Sequence, residues 1–154
     1  MQKVFSGMVI KLKNIQLLIL CTIFFFIAGC TVPVSVYLRN YTNEVKEIKL
    51  IKYKGVSKPS YLYEDVAVKL SHDLHENFSK KLNSELINQE TIVINIPAKS
   101  TLYLEKTINF RSINYKSIEI EGGTMLLDST GHYNKEMKSD KEGLSKYYVW
   151  YDIK

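Results

Sequence analysis

The sequence predicts a mainly β fold: a two-layer antiparallel β-sandwich of about seven strands, with one helical insertion at about residues 71–88. Three observations predict it. Apolar residues alternate with polar ones at a period of two in several short stretches, separated by Asn, Gly and Pro. A single stretch between them changes to a four-residue spacing. The 154 residues carry no internal repeat and are enough for one modest domain.

Val34, Val36 and Leu38 form the first alternating set, and Pro33 suits the start of a first or edge strand. "NYTN" at 40–43 is a turn signal. Ile48 and Leu50 alternate next, and Ile51 and Tyr53 continue on the opposite parity, which predicts a bulge or a strand covered on both faces. These two segments read as a hairpin. Residues 55–65 read as a loop or short edge strand. Leu70, Leu74, Phe78, Leu82 and Leu86 then recur every four residues, predicting a helix from about Ser71 to Asn88. At about 100° per residue, each step drifts roughly 40°, so the stripe sweeps an arc of about 160°.

Ile92, Ile94 and Ile96 return to period two, Pro97 ends that strand, and Leu102 and Leu104 begin another. "SIEIEGGTMLLD" reads as a second hairpin turning at Gly122-Gly123. "GHYNKEMKSDKEGLSK" reads as a polar, mobile loop, and "KYYVWYDIK" as a closing strand with aromatics on both faces.

The first 29 residues differ in kind. They hold Lys3, Lys11 and Lys13 and no acidic residue, and from Leu17 to Gly29 only Thr22 interrupts an apolar run. That run is short for a bilayer span, which needs roughly 20 residues, and it fits the basic and apolar regions of an export signal. Met8 is a second candidate start, since "MVIKLKN" keeps the basic region. Ile27-Ala28-Gly29-Cys30 resembles the lipobox of bacterial lipoproteins: an aliphatic residue, two small residues that a protease cleft can admit, then a cysteine. The resemblance implies a cleaved signal peptide at 1–29 and a single β-rich extracytoplasmic domain at 30–154. It further implies that Cys30 is the lipid attachment site, carrying a thioether-linked diacylglycerol and a third chain on its amine. Two or more acyl chains give stable anchoring where one is marginal.

Cys21 follows Leu20, lacks the small residue of the box, and leaves with the signal. The mature chain then has no disulfide and must be stabilised by its core. The signal takes three of the 21 basic residues, leaving 18 against 16 acidic and a net charge of +2. That balance gives no reason to expect nucleic acid as a partner. Four residues from Cys30 to Val34 span at most about 14 Å, which holds the domain close to the headgroups of its membrane.

Constellations that could carry chemistry are few. His72, His75 and Glu76 lie at helix-face spacing, the weakest form of a metal signal, and His132 is distant in sequence. The ordinary reading is a histidine packed beside the apolar stripe, so no metal is expected. Asp65, Asp73 and Glu76 are acids that favour a helix start. There is no G-x-S-x-G, phosphate-binding glycine loop or dinucleotide fingerprint, so neither a catalytic residue nor a cofactor is expected. Asn40-Tyr41-Thr42 and Asn77-Phe78-Ser79 match the glycosylation pattern, a coincidence behind a bacterial lipobox. All 11 tyrosines follow Cys30. On the last strand, Tyr147 and Tyr151 face one way and Tyr148 and Trp150 the other. One pair belongs to the core, and the speculative ligand-binding residues are Tyr148 and Trp150, whose rings offer contact area at low entropic cost.

The expectation is therefore a non-catalytic, lipid-anchored envelope protein that docks to another envelope protein near the membrane. The alternatives are a glycan- or peptidoglycan-binding module that uses the terminal aromatics and, more weakly, a zinc-dependent enzyme. Thr31 stands where an aspartate would signal inner-membrane retention. In a two-membrane cell this points to the outer membrane, and otherwise to the outer face of the cytoplasmic membrane.

Overall fold

"PVSVYLRN" is strand β1 (Pro33–Asn40) in a computed structural model that describes residues 31–55, 61–72, 74 and 84–154. It is followed by β2 (Lys46–Lys52), β3 (Tyr61–Tyr63), β4 (Ser84–Leu86), β5 (Thr91–Ile96), β6 (Ser100–Ile108), β7 (Tyr115–Ile120), β8 (Thr124–Met125), β9 (Lys138–Glu142) and β10 (Lys146–Ile153). The protein is mainly β, with two five-stranded, mostly antiparallel sheets. One has the order β3-β6-β1-β10-β9 and the other β4-β5-β2-β7-β8.

Val34, Val36 and Leu38 of β1, Leu102 and Leu104 of β6 and Val149 and Ile153 of β10 share one buried cluster with residues of the other sheet. That sheet contributes Ile48 and Leu50, the three isoleucines of β5, and Ile118 and Ile120. Alternation at period two puts each set on one face of its sheet.

Several expectations are corrected. β1 and β2 are not a hairpin: the turn at 41–45 carries the chain from one sheet to the other. Asn40 secures that crossing. Its Nδ2 donates to the carbonyls of Glu44 (2.7 Å), Ile96 (3.1 Å) and Pro97 (3.0 Å), and its Oδ1 accepts from the Thr42 amide and hydroxyl. The Asn40 amide is thereby consumed and buried. The sheets are not wholly antiparallel, because β10 runs parallel to β1, with Val34 opposite Tyr147 and Asn40 opposite Ile153. Flanked by β6 and β10, β1 is buried on both faces, which suits its short continuous run "VSVYL". The polar segment expected as a mobile loop contains β9, an edge strand paired to β10. Its sequence, KSDKE, is exposed throughout, and charge of this kind discourages pairing with another chain.

The expected helix at 71–88 falls largely on residues 73 and 75–83, outside the described residues. Its last turn is instead strand β4, with Leu86 opposite Ile92 of β5. A four-residue spacing carries no information once a segment pairs with a neighbour's edge. The parity change after Leu50 matches a shift of register between Ile51 and Lys52 in the β2–β7 pair, and Gly122 and Gly123 turn the β7–β8 hairpin at positive φ.

A second register shift was not visible in sequence. Val36 lies opposite Glu105 and Tyr37 opposite Tyr103, so Leu104 is an extra residue on β6. The bulge changes parity. It turns Glu105 and Thr107 inward opposite Val36 and Val34, which is why a carboxylate is buried there.

Candidate functional site

The outer face of the β1 sheet is partly covered by residues 65–72 and Leu74. Hydrogen bonds fasten them down: the Thr101 hydroxyl to the Asp65 carbonyl (2.8 Å), the Tyr37 hydroxyl to Ser71 (2.7 Å) and the Tyr63 hydroxyl to Leu74 (2.8 Å). Ser35 Oγ donates to the His72 carbonyl at 2.6 Å, and the His72 amide donates to Glu142 at 2.7 Å. Where this segment meets the sheet, its Leu70 forms a small second core with Tyr37 and Tyr103, on which Val68, Leu74, Tyr148 and Trp150 pack half-buried.

Tyr148 and Trp150, two residues apart on β10, share this face, while Tyr147 and Tyr151 pack against the main core. The two outer rings are stacked, with centroids 5.7 Å apart and planes inclined by 26°. Arg39, from β1, places its guanidinium 5.3 Å from the Trp150 ring centre and 5.1 Å from that of Tyr41. Its Nε donates to Asp152 Oδ1 at 2.7 Å, and Lys138 donates to the other oxygen at 2.6 Å. Burial alone would raise the Asp152 carboxyl, but the Arg39 and Lys138 bonds and charges outweigh it and hold it below the ordinary value. The Tyr148 hydroxyl donates to Asp140 at 2.9 Å. Burial, then this carboxylate, raise the Tyr148 phenol, while the Lys141 amide and the Tyr148 bond lower Asp140.

Between the covering segment and these rings lies a cleft of about 360 Å³, lined by Arg39, Ala67–Leu70, Tyr148 and Trp150. Trp150 Nε1 is buried and has no hydrogen-bond partner among the described residues. An indole N–H in that position costs free energy until it meets an acceptor. The cleft itself offers a cation and two aromatic rings, and Lys69 stands on its opposite wall.

Of the other residues singled out in sequence, Cys30, Asp73, His75, Glu76 and the Asn77 site lie outside the described residues. His72 is buried, its Nδ1 3.1 Å from the Tyr147 carbonyl, to which it donates. Asp65 accepts from the Ala67 amide at 2.7 Å. His132 accompanies Thr130 at a separate turn. The sequence reading missed Arg39 and Asp152. Asp152 follows Trp150 by two residues and so was open to the alternation argument. Arg39 was not, since its place depends on the parallel β1–β10 pairing.

A second titratable cluster surrounds Glu105, whose carboxylate accepts from the Tyr133 hydroxyl (2.5 Å) and the Asn114 amide (3.2 Å). Burial raises Glu105, and burial together with the Glu105 charge raises Tyr133 well above the phenol range. These groups satisfy one another inside the fold.

No protein-family model, no curated protein and no solved structure matches this chain.

Proposed function

We propose that the chain is a lipid-anchored, non-catalytic protein of the bacterial cell envelope. On this reading its two sheets close on their shared core as a sandwich, Cys30 carries the lipid, and the cleft docks an extended segment of another envelope protein. The observation that carries the docking role is the cleft in which the stacked Tyr148 and Trp150 rings stand beside Arg39 and opposite Lys69. The rings give a peptide side chain a large contact at low entropic cost, and the two cations favour a carboxylate. The stacked Tyr148–Trp150 pair also supports a second reading, a peptidoglycan or other glycan ligand, although Arg39 already occupies a place over the Trp150 ring.

The test is mild crosslinking in living cells with protein tagged after Lys154, followed by mass spectrometry. Wild type should yield a near-stoichiometric partner that fades in Cys30→Ala and in Trp150→Ala, which removes the ring from the cleft. Absence of a partner in all strains would sink the docking role. Sedimentation with purified sacculi, lost in Trp150→Ala, would instead establish the glycan reading.

A further inference from the structure

The end of the domain at which the chain enters β1 has a surface of its own. Val32 is tied there by two bonds to Asn109: its amide donates to Asn109 Oδ1 and its carbonyl accepts from the Asn109 amide, both at 2.9 Å. Cys30 lies two residues earlier, within about 7 Å of Val32 by chain length alone. Ile108 stands opposite Pro33 on β6, and Tyr147 opposite Val34 on β10. The tip after β6 and the turn between β9 and β10 therefore flank β1 at this same end.

The β6 tip is a two-residue turn in which Asn109 (φ 52°) and Phe110 (φ 58°) are both left-handed, closed by the Arg111 amide on the Ile108 carbonyl at 3.1 Å. A phenylalanine is strained there. Its ring is held edge-on against Tyr147, with centroids 5.4 Å apart. Around it, Ile108 is 43%, Ile113 51% and, across β1, Leu144 94% exposed. Tyr53 and Ile87, also exposed, lie toward the corresponding end of the other sheet, whereas Val45 and Met125 lie toward the opposite end. Arg111 shares a groove of about 590 Å³ with Tyr53, Ile108, Ile113 and His132, and its side chain forms no ion pair among the described residues.

We infer that this end is the surface the domain lays on the bilayer. Ile108, Ile113 and Leu144 enter the boundary between headgroups and acyl chains, and Arg111 meets lipid phosphate. The inference rests on the lipid anchor at Cys30: a patch so near an acylated residue faces headgroups, and its apolar tips beside a guanidinium with no ion pair among the described residues match that interface.

The test uses full-length protein processed in a bacterial host and reconstituted in vesicles of phosphatidylethanolamine and phosphatidylglycerol. An environment-sensitive probe is attached at Ile113→Cys, at Leu144→Cys and, beyond the far end of β1, at Val45→Cys. All three positions are exposed, so folding is spared. Probes at 113 and 144 should shift to the blue and be quenched by nitroxide carried high on the acyl chain, while the probe at 45 should respond only to an aqueous quencher. Equal aqueous quenching at all three positions overturns the orientation. Intact mass of the wild type reads the anchor separately: an acylated chain beginning at Cys30 upholds it, and an unacylated one overturns it whatever the probes report.

Discussion

Arg39 and Asp152 stand opposite one another in the parallel β1–β10 register, and the Nε of one meets the Oδ1 of the other at 2.7 Å. Both side chains are largely buried, so the pair joins the first and last strands of the domain while fixing the guanidinium above Trp150.

Replacing Asp152 by Asn should therefore cost about 1.5–3 kcal/mol near neutral pH, the range for hydrogen bonds to charged groups. Most of the loss belongs to Arg39, because Lys138 is half exposed and screened. The folded carboxyl lies below its unfolded value of 3.8, so its contribution is complete above that value and disappears as pH falls through the lower folded pKa. Denaturant unfolding of variant and wild type should differ at neutral pH and converge in strong acid. A constant difference would contradict the assignment.

Trp150→Phe should leave unfolding stability nearly unchanged or slightly improved, because it removes a buried donor without a partner among the described residues and keeps a ring beside Tyr148. Capture of the crosslinked partner should survive in Trp150→Phe and fall at least tenfold in Trp150→Ala, since losing an aromatic anchor costs about 2 kcal/mol or more. Stability loss together with unchanged capture in Trp150→Ala would make Trp150 a packing residue only.

Much of the fold was legible wherever a strand sends an alternating apolar or aromatic set into the core. β1, β5 and β10 follow from alternating Val and Ile or from dense aromatics, and the β7–β8 turn from its two glycines. What failed depends on partners distant in the chain. The parallel closure of β10 on β1, the separation of β1 and β2 into different sheets and the β6 bulge that buries Glu105 leave no local periodicity. β9 was hidden because an exposed edge strand needs no apolar alternation. At the cleft, Tyr148 and Trp150 were readable from their spacing, while Arg39 and the covering segment enter only through tertiary contacts.

Asn40 should be among the least replaceable polar residues. Asn40→Ala leaves the Glu44, Ile96 and Pro97 carbonyls without that donor and should cost about 2–4 kcal/mol. Asn40→Asp should be worse near neutral pH, since it directs a carboxylate at the same three acceptors while sparing only the Thr42 bonds. Thermal unfolding of the two variants checks the order, and an Asp variant as stable as wild type would refute the donor role.

Glu105 should give the opposite pH signature to Asp152. Burial raises its folded carboxyl above the unfolded value of 4.5, against hydrogen bonds from Ser112, Tyr133 and Asn114 that pull it down. Between the two values the folded state holds a proton that the unfolded chain has released, so stability declines as pH rises from 4.5 through the folded pKa and levels above it. Glu105→Gln lacks this ionisation and should lose that decline. It keeps an acceptor for the Tyr133 hydroxyl but sets an amide donor toward the Asn114 N–H, so the variant should start below wild type in acid and gain on it with rising pH. The measurement is the difference in unfolding free energy between variant and wild type across that window. A difference independent of pH would show that Glu105 titrates alike folded and unfolded, its hydrogen bonds from Ser112, Tyr133 and Asn114 then offsetting the desolvation behind the β6 bulge.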